Sequence, residues 1–148
     1  MSSFEVIIYI YHSLKGEIMG LKLEAYKATK LFFENKLEGP NQQIQVKQRF
    51  NTRVNYFDEN KCACIYEVTV TDAEEKLPFK IVVEIVGIFS HSEMSKTDIH
   101  IESTRQLYPY LKSTVSLVTT LAGAPPFMLQ PHAVAAEDIH QESETLKS

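Results

Sequence analysis

The chain has 148 residues, 44% hydrophobic and 23% charged, with a net charge of −4 and a pI near 5.7. That is most simply one globular domain, long enough to bury roughly 68–70% of its unfolded surface. An acidic balance with no basic footprint argues against nucleic acid as a partner.

The longest apolar run, Val6-Ile-Ile-Tyr-Ile-Tyr11, falls far short of the roughly 20 residues needed to span a bilayer. It lacks a basic leader and a small-residue cleavage site, so it does not read as a secretory signal, and membrane insertion is not expected. The cytoplasm is the expected location. Leu21 to Phe33 supports a strand, closed by Asn35-Lys-Leu-Glu-Gly-Pro-Asn41 with Gly39-Pro40 as its punctuation.

Residues 44 to 56 carry the clearest local signal. Ile44, Val46, Phe50, Val54 and Tyr56 alternate with Gln45, Lys47, Arg49, Asn51, Arg53 and Asn55, and only Gln48 and Thr52 interrupt the apolar side. Period-two alternation of this kind is a half-buried strand with one wet face. Asp58-Glu-Asn-Lys61 is a polar turn, and Cys62 to Thr71 alternates again. Cys62 and Cys64 are too few to hold a metal and read as reduced thiols; no cofactor is expected.

Asp72-Ala-Glu-Glu-Lys-Leu-Pro78 forms an acidic hairpin loop, with Pro78 limiting the next strand. Phe79 to Phe89 has Phe79, Ile81, Val83 and Ile85 on one side and Val82, Val86 and Ile88 on the other. Apolar residues on both sides suit a central strand covered on both faces.

A long helix follows, with Asp98 as a candidate cap. Pro109 either kinks it or moves its start to about Tyr108, while Gly123 and Pro125-Pro126 end it. Tyr108, Leu111, Val115, Val118 and Ala122 form one apolar stripe, and Leu107, Tyr110, Leu117 and Leu121 a second, about 100° away or less. Either both stripes pack as one broad band on a single sheet, or one of them faces a partner subunit. After Pro131 the chain turns acidic, and residues 133–148 read as a short tail carrying Glu137, Asp138, Glu142 and Glu144.

Five histidines, His12, His91, His100, His132 and His140, are scattered. His91-Ser92-Glu93 has the residue types of an acid–base cluster, but neighbours in a loop make no triad without converging geometry. No phosphate loop, metal-ligand spacing or nucleophile elbow is present, so the chain does not read as an enzyme.

Four strand-like runs and then a helix, with Tyr66-Glu-Val-Thr-Val70, Gly87-Ile-Phe-Ser90, Leu107-Tyr-Pro-Tyr110 and the stretch from Pro126-Phe127 to Leu129-Gln-Pro131, resemble the SecB protein-export chaperone family. The likeness runs from about Leu21 to Pro131, within a domain placed at residues 19–132. It implies an α+β fold, a four-stranded antiparallel sheet packed with one long helix, the second helix short or absent. It also implies dimers formed by sheet edges and helices, two of which stack into a homotetramer.

Members of that family are ATP-independent holdases that bind unfolded or precursor polypeptides in apolar grooves and pass them to SecA. A subset instead guards the antitoxin of a toxin–antitoxin pair. For such a chaperone the candidate groove residues are Ile44, Val46, Phe50, Val54, Tyr56 and Phe57, which read equally as plain sheet core, and the candidate oligomer interface on the helix is Tyr108, Leu111, Val115, Val118 and Leu121.

The chain departs from the family at three places. Val82 stands where the family has a SecA-docking Glu, with Glu84 two places on, and Thr29 and Lys30 replace acids of the first strand, leaving only Glu34 nearby. The second helix is cut to a remnant between Ala133 and Ser148. Residues 1–18 have no counterpart, and read either as an added strand or as an over-called start with Met19 as initiator.

Overall fold

A computed structural model describes residues 20–37, 45–76 and 78–130. The expectations for residues 1–18, Ile44 and the tail at 133–148 lie outside the described residues. Four strands, β1 (Leu21–Asn35), β2 (Val46–Asp58), β3 (Lys61–Asp72) and β4 (Phe79–His91), precede one helix, α1 (Lys96–Leu121). The strands form a single sheet in the order β1-β4-β3-β2, and every neighbouring pair is antiparallel. The α+β architecture expected from the sequence is therefore the one observed.

β2, β3 and β4 follow one another as a meander, and β1 joins the far side of β4. The alternation read in the sequence sets which side chains meet the helix. On β3 these are Cys62, Cys64, Tyr66, Val68 and Val70, and on β4 Ile81, Val83, Ile85 and Phe89, all buried in one core with Leu107, Leu111 and Val115 of α1. Val82, Val86 and Ile88 point the other way and are only half-buried. β4 is central, as expected, but its second face is not covered as the sequence reading had it. The helix lies on one side of the sheet only.

Two register shifts interrupt β1, between Leu23 and Ala25 and between Ala28 and Lys30. Each inserts one extra residue against β4, as a bulge does. The hydroxyl of the inserted Thr29 donates to Glu84 Oε1 at 2.8 Å and to the Glu84 carbonyl at 3.2 Å.

Ser95, not Asp98, caps α1, its hydroxyl accepting from the Asp98 N–H at 3.1 Å. Asp98 sits in the first turn, where its charge favours the helix N-terminus. Pro109 lies inside the helix, which begins at Lys96 rather than near Tyr108. A proline there removes the backbone bond to residue 105, and this 26-residue helix tolerates it at an exposed position. Gly123 follows the last turn at φ +82, a left-handed backbone that favours glycine.

The two halves of α1 meet the sheet differently. Leu107, Leu111 and Val115 bring aliphatic side chains, whereas His100, Ser103 and Thr104 bring buried polar ones. Thr104 donates to the His100 carbonyl at 2.8 Å, and its oxygen lies 2.9 Å from the Thr52 hydroxyl. Thr52, an interruption of the apolar pattern in the sequence, is thus the sheet's partner for a polar helix. No helix among the described residues is long and apolar enough to cross a membrane.

Candidate functional site

Two apolar surfaces remain open on the helix side of the sheet, one along each edge. The first follows β2. Phe50 is half-buried with its ring 6.0 Å from that of Tyr66, and Tyr56 meets His91 edge-on at 6.0 Å. Lys96 Nζ stands 5.4 Å over the Tyr56 ring, within cation–π range. Val46 and Phe57 are exposed at the two ends.

The chain beyond α1 supplies a further wall to this surface. Phe127 donates its N–H to Thr119 Oγ1 at 2.9 Å, and the Gln130 N–H donates to Gln48 Oε1 at 2.9 Å. The Tyr108 hydroxyl reaches the Gln130 carbonyl at 2.8 Å. These ties hold residues 127–130 between the helix and β2, with Leu129 buried and Met128 55% exposed. Gln48, the other break in the apolar pattern, is the residue that anchors this segment.

Val54 does not belong to that surface. It is 0% exposed and lies in the core, because α1 covers the middle of β2. Of the expected groove residues, Val46, Phe50, Tyr56 and Phe57 keep accessible area, and Ile44 is outside the described residues. The sequence reading missed Met128, Gln48 and Lys96. Met128 lies in the stretch from Pro126-Phe127 to Leu129-Gln-Pro131, and no local pattern in the sequence places that stretch beside β2.

The second surface joins β1 to the C-terminal half of α1. The rings of Tyr26 and Tyr110 lie 4.3 Å apart, and Leu31, Leu117 and Leu121 are exposed around them, Leu121 by 77%. Beside them Phe33, Asn35 and residues 122–125 line a depression of about 430 Å³.

Of the expected interface stripe only Leu121 points fully outward. Leu111 and Val115 are 0% exposed in the core, while Tyr108 and Val118 pack partly against it. The stripe that points outward is Tyr110, Leu117 and Leu121, with Leu107 turned into the core. Close approach fixes this: a Cβ on Gly87 would stand 2.7 Å from Leu107 Cδ2 and 3.0 Å from Phe89 Cε1, so the glycine is what lets Leu107 seat against β4.

On the opposite side of the sheet, Glu67 and Glu84 are register partners, and Lys30 Nζ lies 3.0 Å from one carboxylate and 3.7 Å from the other. The Glu67 hydrogen bond and charge, then the Glu84 charge, raise the Lys30 pKa above its ordinary value. Like charges directly opposite on neighbouring strands are destabilising, and Lys30 offsets that. The acid of β4 closest to the family's docking position is therefore already paired.

His91 Nδ1 lies 3.3 Å from the Ser92 carbonyl and its ring packs on Tyr56, so His91-Ser92-Glu93 does not converge. Among the described residues no group of three His, Cys, Asp or Glu side chains is placed to hold a metal. Cys62 and Cys64 are buried free thiols.

Comparison with known proteins adds independent findings. The profile of the family described as SecB, preprotein translocase subunit SecB, matches residues 18–143. The protein-export protein SecB of Xylella fastidiosa strain Temecula1 is 30% identical over 113 residues, covering 71% of this chain and 66% of that protein. The chain thus matches slightly less than two thirds of that relative's length. An uncharacterized protein of Methanocaldococcus jannaschii is 26% identical over 125 residues, 76% of this chain and 81% of that one. In three dimensions the fold is similar to the Mycobacterium tuberculosis SecB-like chaperone Rv1957, solved with a ChAD peptide from the HigA1 antitoxin. That likeness has a TM-score of 0.64 at 13% identity and covers 80% of this chain and 95% of that one.

Proposed function

From a chain that belongs to the SecB family, we propose an ATP-independent chaperone that holds unfolded polypeptides against the apolar surface along β2 and keeps them competent for export. The observation that carries this reading is the apolar area left along the edge strand β2, where Val46 is exposed and Phe50 and Tyr56 are half-buried, with Met128 exposed on the segment that Gln48 anchors. Exposed apolar area on a rigid, polar-rimmed scaffold marks an interaction site. An extended client lays side chains on that area and hydrogen-bonds the strand edge, gaining affinity from main-chain bonds and apolar burial. Such binding needs no nucleotide and no covalent step.

The β1–α1 surface is the proposed subunit contact, giving a cytoplasmic homotetramer built as a dimer of dimers. Tyr26, Leu31, Tyr110, Leu117 and Leu121 are too large an apolar set to leave in water on a free monomer. Handover to SecA belongs to this reading. An ATP-free aggregation assay with several unrelated unfolding clients tests it, on protein of checked native mass. Suppression across the panel is the expected result, and failure across the panel by a stable oligomer overturns it.

A dedicated guardian of one partner, such as the antitoxin of a toxin–antitoxin pair, is the second reading. Two observations favour it: Lys30 already pairs Glu84 and Glu67, and the structurally similar Rv1957 was solved with an antitoxin peptide. Failure with general clients, together with tight binding of one antitoxin encoded nearby, selects it.

A further inference from the structure

We propose that the wet side of β2 chooses the client: the segment that docks there is an extended polypeptide with acidic side chains at alternate positions on one side and apolar ones on the other. This rests on the chaperone reading above and names the substrate class of the same site.

β2 ends the sheet, and an end strand offers its unpaired N–H and C=O groups as a template for one more strand. Its side chains sort by face: Val46, Phe50 and Tyr56 toward the helix, Lys47, Arg49 and Arg53 away from it. In an added strand, residues opposite these come within about 4.5–5.5 Å and share their faces. Whatever side chains lie beside Lys47, Arg49 and Arg53 therefore fall on one side of the client, and its apolar residues fall on the other.

The basic row already holds a carboxylate. Glu75, in the turn between β3 and β4, lies 3.4 Å from Lys47 Nζ and 3.1 Å from Arg49 Nη2. It does so from a backbone φ of 56, a left-handed conformation that disfavours any residue with a Cβ. One carboxylate against two cations leaves positive charge over. Arg53 adds to it, with no ion-pair partner within 4.0 Å among the described residues. In a chain of net charge −4 this row is a local exception. Charge of either sign guards an edge strand against self-association; selection of acidic clients requires the positive sign, and that difference is measurable.

The test uses the full chain and labelled synthetic peptides as long as β2. All carry the same apolar residues at alternate positions, with Glu, Lys or Ser between them, and binding is read by fluorescence anisotropy. The Glu peptide is expected to bind about tenfold tighter than the Lys peptide, with the gap narrowing as salt rises. Replacing Arg49→Glu and Arg53→Glu together inverts that order, with far-UV circular dichroism checking that the fold is kept. Glu75→Gln removes the rival carboxylate and tightens the Glu peptide about threefold. Equal binding of the three peptides, or preference for Lys, overturns charge selection and leaves the chaperone reading standing. If no peptide binds, the chaperone reading falls with it.

Discussion

Thr52 and Thr104 join the sheet to the helix through hydroxyls 2.9 Å apart in a buried layer. Thr104 gives its one proton to the His100 carbonyl at 2.8 Å, so Thr52 is the donor to Thr104. The two substitutions are therefore unequal. Thr104→Val leaves the buried Thr52 hydroxyl only the weak acceptor Cys64 Sγ at 3.6 Å, and is expected to cost about 1–3 kcal/mol. Thr52→Val removes the donor to Thr104 and the weak contact with Cys64 Sγ at 3.6 Å, and should cost about 1 kcal/mol. The double variant should cost less than the Thr104 single, because the stranded donor is then gone, a coupling that urea melts of all four proteins will resolve.

Gly87 makes a second strict demand. A Cβ there would meet Leu107 Cδ2 at 2.7 Å and Phe89 Cε1 at 3.0 Å. Gly87→Ala is expected to lose about 1–3 kcal/mol through overpacking. Adding Leu107→Ala should return part of that loss, because the space it vacates is the space the new methyl needs. Strict additivity in the denaturation midpoints would refute the contact.

The strands were legible because period-two alternation is a local signal, and each expected strand overlaps an observed one. The start of the helix was not. From His100 to Thr104 its buried residues are polar, matched to Thr52 and Cys64 across the layer, and such matching leaves no apolar period to read. Asp98 and Ser95 are both good cappers, and only the geometry separates them. The two apolar stripes of α1 were found, but which of them meets the sheet depends on the seat that Gly87 leaves for Leu107. Val54 and Phe50 share one face of β2 and differ only in how far the helix covers them, a tertiary property. Met128 was invisible as a site residue because its place beside β2 depends on Gln48, 82 positions from Gln130.

Client binding should follow Phe50 and Tyr56. Both are half-buried at the rim of the core, so Phe50→Ser and Tyr56→Ser remove apolar contact area from the open side. Together they are expected to weaken capture of an unfolded client about tenfold or more, on the scale of two partly buried aromatic rings. Native mass should be unchanged. Loss of the oligomer in the same variant would instead make them structural.

Assembly should follow the outward stripe and not the buried one. Leu117→Ser with Leu121→Ser, at positions 55% and 77% exposed, is expected to reduce native mass in light scattering while far-UV circular dichroism holds. Leu111→Ala, fully buried, should instead cost about 2–5 kcal/mol of stability, as core truncations do. An unchanged mass in the double variant would remove the β1–α1 surface from the assembly.

Alkaline pH should loosen the core through Cys62. Burial, and then the neighbouring Cys64, pushes the Cys62 thiol from 9.0 up to about 12. The folded chain therefore keeps a proton that the unfolded chain gives up first. Between pH 9 and 12 the unfolded state binds fewer protons than the native one, so stability falls as pH rises. Below pH 9 both states hold the proton and the contribution is constant. Burial of Tyr66 acts in the same direction above its ordinary value of 10.0. Thermal melts taken upward from pH 7 should be level to about pH 9 and then decline. Cys62→Ala should flatten the first part of that decline even though its cavity lowers the plateau, and an unaltered slope would show that Cys62 stays out of the titration.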